Sequence, residues 1–363
     1  MSLVGFAFLS LTSFGVSSHS FEREKLDTFL NALAEENVLW VSVDIRDNAN
    51  SVYSHQTGFS KVEYGWFGKV ERLPIQKNSR YKIASISKTF TAVLVFRLIE
   101  QGKLSLDTPL SRFYPSIPNA ESITIGQMLM HWSGIFNYTS VERELLIEQC
   151  KGVYDQEKMV DLIASYQPTL PPAMYKSYSN SNYVLLSGIV EQVAQKDFGE
   201  LLNEKIISKL GLENTFLCAT NGCEGYIDSF YFYEDKWYED MDCSGSYVRG
   251  SGSMVSTAED LTRFSYALFN GELISPDSLT LMKGMTNQHG MGLEKIPYYY
   301  RTMHGHTGSL DSFLSVYGYF EYDGTSIAMI ANTYSDGKFF DVFNAILDIY
   351  HGKSVDLEDF VQK

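Results

Sequence analysis

The chain has 363 residues, 44% hydrophobic and 20% charged, which is enough apolar material for a large core and excludes a disordered chain. With 44 acidic and 29 basic side chains its net charge is −15, a field that repels phosphates and makes nucleic acid a poor partner. Four cysteines are too few for a disulfide framework.

Residues 3–16 (LVGFAFLSLTSFGV) are apolar and are followed by small residues, although no basic residue precedes them. Such a stretch is short for a membrane span and has the length of a signal-peptide core. Residues 1–20 are therefore expected to be a signal peptide, the mature chain is expected to have no transmembrane segment, and its place to be periplasmic or extracellular. In that compartment Cys218 and Cys223 close a loop short enough to pair, while free or singly paired thiols are expected overall. A cysteine-based metal site with Cys243 is disfavoured, because no His lies close in sequence.

Leu26, Phe29, Leu30 and Leu33 recur at helical spacing over residues 24–36. Strand-like runs follow at 38–45, 51–59 and 61–67. From Ser85 to about residue 245 the pattern is mostly helical and loop-rich. Strands return at 312–322 and 325–333, split by Asp323-Gly324, a hairpin signal. A last amphipathic helix carries Phe339, Val342, Phe343, Ile346, Leu347 and Tyr350 on one side, with Gly352 after it. The reading is an α/β (α+β) fold, an antiparallel sheet built from both termini and flanked by helices, plus a mainly helical lobe. Residues 21–363 form one unit in that reading, with a sheet lobe at about 21–84 and 246–363 and a helical lobe at about 85–245.

Ser-x-x-Lys occurs three times, at Ser79/Lys82, Ser85/Lys88 and Ser335/Lys338. Ser335 sits in a turn, and the alternation around Ser79 suggests a strand, where i and i+3 face apart. Ser85 opens a helical pattern with Ile86, Phe90, Val93, Leu94 and Ile99, so Ser85 and Lys88 share a face near a helix N-terminus. A desolvated lysine there accepts a serine proton, whereas the plainer alternative is an N-cap serine beside a solvated lysine.

Tyr178-Ser179-Asn180 is the only Tyr-x-Asn in the chain, in a polar stretch that leads into an apolar helix. Its phenol and amide are able to enter one cleft, or else the segment is a helix cap cluster. His306-Thr307-Gly308 is read as lying just before an alternating strand. Its glycine would admit a substrate close to the backbone, and His306 and Thr307 would supply donors for a carboxylate. The aromatic runs at 231–233 and 298–300 are read as groove or core material.

Together IASISKTFTA (83–92), MLMHWSG (128–134), YSNSNYVLLSGIVE (178–191), GSGSMVSTAEDLTRF (250–264) and GHTGSLDSF (305–313) resemble the serine β-lactamase and penicillin-binding enzyme superfamily. The resemblance is to the branch with class C β-lactamases and D,D-carboxypeptidases. It implies a β-lactamase/transpeptidase-like fold and an acyl-enzyme hydrolase without metal or cofactor. In it Ser85 is the nucleophile, Lys88 its proton acceptor and Tyr178 a general base that later protonates the leaving group. Asn180 is a substrate-amide contact, His306, Thr307 and Gly308 line the strand edge, and the N–H groups of Ser85 and Ser309 form the oxyanion hole. His131 belongs to a structural turn. The segment Glu142-Arg143-Glu144-Leu145-Leu146 lacks the Asn of a class A loop.

Expected substrates are small molecules or peptides, among them peptidoglycan stem peptides or β-lactams, with D-amino acid peptides leading. A class C-like β-lactamase or small-ester esterase, and a penicillin-recognising sensor without turnover, are the alternatives. His306 stands where most β-lactamases of this branch carry Lys, which points toward the peptidase and esterase members. Two electrostatic expectations follow: Lys88 and protonated His306 lower the pKa of Tyr178, and the charge of His306 attracts a substrate carboxylate.

Overall fold

The computed structural model describes residues 23–219, 223–284, 289–334 and 337–361. The apolar start of the chain and Ser335 lie outside the described residues.

Helix α1 (Arg23–Glu35) buries Leu26, Phe29, Leu30 and Leu33, the spacing the sequence shows. Strands β1 (Val41–Asp47) and β2 (Asn50–Thr57) follow. Four more strands come from the far end of the chain: β3 (Glu294–Tyr298), β4 (Arg301–Leu310), β5 (Phe313–Phe320) and β6 (Thr325–Ala331). They form one antiparallel six-stranded sheet in the order β3-β4-β5-β6-β1-β2, so both ends of the chain meet where β6 pairs with β1. The β5–β6 connection turns at Asp323-Gly324. Gly324 has φ +77°, and a Cβ there would lie 2.5 Å from Asn48 Oδ1, so the turn needs glycine.

Alternation assigns the two faces of the sheet. Val41, Val43 and Ile45 pack with α1 and with Phe339, Val342, Phe343 and Ile346 of the last long helix, Lys338–Tyr350. Packing holds these helices, at about 1.5–3 kcal/mol per fully buried Leu or Phe, far more than propensity supplies. The opposite face of β1 is polar yet buried. Ser42 pairs with the Tyr81 hydroxyl at 2.6 Å, and Asp44 accepts from Ser51 and from Thr262 of the helix Ala258–Phe269. Burial raises the pKa of Asp44, and these bonds oppose the rise.

On that second face lies the larger core, which includes the helix Ser87–Glu100, with Phe90 stacked on Phe264 at 3.9 Å, and the helix Asn180–Ala194. The middle of the chain also holds short strands the periodicity does not announce, at Phe216–Leu217, Phe230–Tyr233 and Lys236–Glu239. Two local readings change. Ser79 lies in a turn closed by its own hydroxyl, and only Tyr81–Lys82 is extended. The His306 motif sits inside β4, a ten-residue strand, and not ahead of one.

All four cysteines are paired, contrary to the expectation of free or singly paired thiols: Cys150 with Cys243 and Cys218 with Cys223, at Cα separations of 5.1 and 5.6 Å. The first pair is 93 residues apart in the chain, so only the fold brings it together. No helix among the described residues is long and apolar enough to cross a membrane.

Candidate active site

Ser85 lies in a single 3-10 turn, Ala84–Ile86, that runs directly into the helix Ser87–Glu100. Ala84, just before it, has φ +47°, a left-handed conformation that costs a non-glycine residue free energy and is held by its surroundings. Strand β4 supplies them. A Cβ on Gly308 would lie 2.4 Å from the Ile83 carbonyl oxygen and 2.3 Å from Ser315 Oγ. The glycine of the His-Thr-Gly triplet therefore admits the turn that carries Ser85, where the sequence reading had it admit a substrate.

Lys88 is fully buried one turn along the helix. Its ammonium donates to three acceptors, the full capacity of the group: Ser85 Oγ at 2.9 Å, Asn180 Oδ1 at 2.8 Å and the Ser251 carbonyl at 2.7 Å. Burial lowers its pKa to about 7, with Glu294 opposing the shift. A lysine with that pKa is partly neutral near pH 7 and serves as a base, so the solvated N-cap alternative does not describe this pair.

The Tyr178 hydroxyl donates to Ser85 Oγ at 2.9 Å, and Lys88 Nζ lies 5.0 Å from the centre of its ring. Burial raises the pKa of Tyr178, which the Ser85 hydrogen bond only partly offsets. The expected depression by nearby cations does not occur, because desolvation raises the pKa and Glu294 adds to the rise. Tyr178 is a neutral phenol here and not a standing general base. His131 places it: the two rings stack at 4.3 Å, and His131 Nδ1 accepts from the Ser179 N–H. That bond needs a bare Nδ1, consistent with burial, which pushes His131 well below its ordinary pKa. Asn180 donates its amide N–H to Thr139 Oγ1 while it accepts from Lys88, so it orients the lysine.

On the strand side, His306 is 2% exposed and lines neither of the two cavities that meet at Ser85. Its Nδ1–H donates to the Thr307 carbonyl at 2.7 Å, and burial lowers its pKa, with Glu294 acting against the shift. Its charge is not presented to a substrate. Thr307 does reach the cavity, but both its N–H and its hydroxyl donate to Glu294 Oε2, at 2.9 and 2.8 Å. Ser309 lies two residues further along the same edge of β4, past the end of the β3 ladder at Glu294/Gly305. The elements thus bring Ser85, Lys88, Tyr178, Asn180, Thr307 and Ser309 around one cleft, and leave His306 beneath it. Ser79 and Lys82 stay apart: Lys82 pairs with Asp242 and with Asp311 at 3.4 Å.

Ser85, Asn180 and Ser309 line both cavities. The larger, about 790 Å³, continues past Tyr178, Lys176, His289 and Glu294. The smaller, about 350 Å³, has Leu146, Ile147, Met241 and Val248 in its wall. Glu294 and His289, 3.2 Å apart, are ionisable side chains that sequence reasoning missed. No motif surrounds Glu294, and only the β3–β4 pairing puts it beside Thr307.

The Beta-lactamase family model matches residues 29–349. Penicillin-binding protein 4* of Bacillus subtilis (strain 168) is 25% identical over 297 residues, covering 75% of this chain and 63% of that protein. A teichoic acid D-alanine hydrolase of Staphylococcus aureus (strain NCTC 8325 / PS 47) is 24% identical over 284 residues, covering 77% and 64%. The chain spans less than two thirds of the length of either relative. Among solved structures, D-amino acid amidase from Ochrobactrum anthropi SV3 complexed with L-phenylalanine amide matches with a TM-score of 0.77 at 23% identity. That match covers 91% of this chain and 98% of that one, a likeness of fold.

Proposed function

Since this chain belongs to the Beta-lactamase family and shares its sheet-and-helix fold, we propose that it is a serine hydrolase working through an acyl-enzyme on derivatives of D-amino acids. The observation that carries this reading is Ser85 Oγ held 2.9 Å from both Lys88 Nζ and the Tyr178 hydroxyl, with burial bringing Lys88 to about 7. Neutral Lys88 takes the Ser85 proton as Oγ attacks the scissile carbonyl. The N–H groups of Ser85 and Ser309 stabilise the oxyanion. Tyr178 passes its proton to the departing atom and is reprotonated from Lys88, and water then hydrolyses the acyl-serine. A neutral phenol suits this relay better than a free phenolate. Relatives named for D-alanine and D-amino acid hydrolysis support the substrate class. The two disulfides and the apolar start support an exported protein.

The test is intact-protein mass spectrometry with nitrophenyl esters and amides of D- and L-amino acids, with a fluorescent penicillin alongside. Turnover with D preference and a transient adduct on Ser85 is expected. A permanent adduct without turnover identifies a sensor, and labelling that survives Ser85→Ala overturns the nucleophile.

A further inference from the structure

We propose that Glu294 makes the larger cavity selective for a leaving group that carries a positive charge, an inference that rests on the acyl-enzyme reading above. The side of the cleft follows from proton transfer. The group that protonates the departing atom must reach it by hydrogen bond. Tyr178 lines the larger cavity and not the smaller, so the leaving group occupies the larger one and the acyl part extends toward Leu146, Ile147 and Met241.

In that leaving-group space Glu294 is a fixed anion. Its side chain is 13% exposed and forms part of the wall. Oε2 takes two bonds from Thr307, and Oε1 faces His289 Nε2 at 3.2 Å, which leaves Oε1 with unused acceptor capacity toward the cavity. Burial alone would raise its pKa, but the charge His306 takes up in acid, where a carboxylate titrates, and the bonds from His289 and Thr307 hold it well below the ordinary carboxylate range. Besides His289, which faces Glu294, the cavity is lined by Lys176, half-buried, whose ammonium Glu294 attracts. A carboxylate on the leaving group would meet Glu294, and the Thr307 donors at that place are already committed to Glu294. A leaving cation meets an anion held in place before it arrives, the arrangement that separates partners by charge. Terminal D-amino acids with a free carboxylate are therefore disfavoured leaving groups.

The test compares three esters of N-acetyl-D-alanine that differ only in the alcohol: choline, its neutral isostere 3,3-dimethylbutanol, and the carboxymethyl ester. For the wild-type protein kcat/KM is expected to rank choline above neutral above carboxymethyl, with a choline-to-neutral ratio on the order of 10. In Glu294→Gln, which keeps an oxygen for Thr307, the ratio should fall to about 1 and the carboxymethyl ester should gain. Because the ratio compares isosteres on one protein, general damage to the site cancels. A wild-type ratio near 1, or a ratio retained in Glu294→Gln, overturns the proposal. Should that variant not fold, Lys176→Met decides: removing the competing cation must raise the ratio, and a fall overturns the proposal. Ser85-dependent turnover of the neutral ester without charge preference defeats this inference alone. Absence of such turnover defeats the acyl-enzyme reading itself.

Discussion

The two sides of Ser85 are built on opposite plans. On the helical side, Lys88 and Tyr178 both aim their polar atoms at its oxygen, and Asn180 and His131 hold those two in place. On the strand side, His306 bonds its own neighbour, Thr307 bonds Glu294, and Gly308 makes room for the turn. Chemistry is concentrated on one side, while shape and charge selection fall to the other. The difference teaches that three adjacent polar-looking residues on a strand share a motif without sharing a role, because alternation sends neighbours to opposite faces.

That contrast is breakable. Lys88→Met should slow acylation the most, by about 10³-fold or more in single-turnover kinetics, since a residue acting as part of one unit is lost with the unit. A change below tenfold would move the base elsewhere. Tyr178→Phe should cost about 10²-fold in the same assay with little change in substrate affinity, as for one removed proton relay. The pH profile sharpens the assignment. Lys88 must be neutral to accept the proton, and its pKa is lowered to about 7, so acylation should be level above that pH and fall about tenfold per unit below it. A profile that keeps rising to pH 10 would mean an unshifted lysine.

On the strand side, Gly308→Ala should lower thermal stability, by roughly 1–3 kcal/mol for an overpacked contact, and slow labelling as the Ser85 turn moves. An unchanged melting temperature with unchanged labelling would refute the close approach. The smallest effect belongs to the charge of His306. Burial lowers its pKa, so it stays neutral above its ordinary value near 6.5. KM for a carboxylate-bearing ester should therefore change by less than about twofold from pH 6.5 to 8 in both wild type and His306→Gln. A steep rise in wild type that vanishes in the variant would restore a charged role.

Much of this arrangement follows from local sequence. Helical periodicity after Ser85 puts Lys88 on its face, the Asp323-Gly324 pair turns a hairpin, and the apolar spacing of residues 26–33 and 339–350 places two helices on the sheet. These are short-range effects, carried by backbone geometry and by which side of an element is apolar. What only the tertiary structure decided involves burial and distant partners. The acidities of Lys88, Tyr178 and His306 depend on how much water the fold removes, and no spacing reveals that. Glu294 meets Thr307 across a strand pair, Cys150 meets Cys243 across 93 residues, and Gly308 is small because of a turn 225 positions earlier in the chain. Such contacts belong to no local pattern, since packing joins elements whose order in the chain does not predict which atoms will touch.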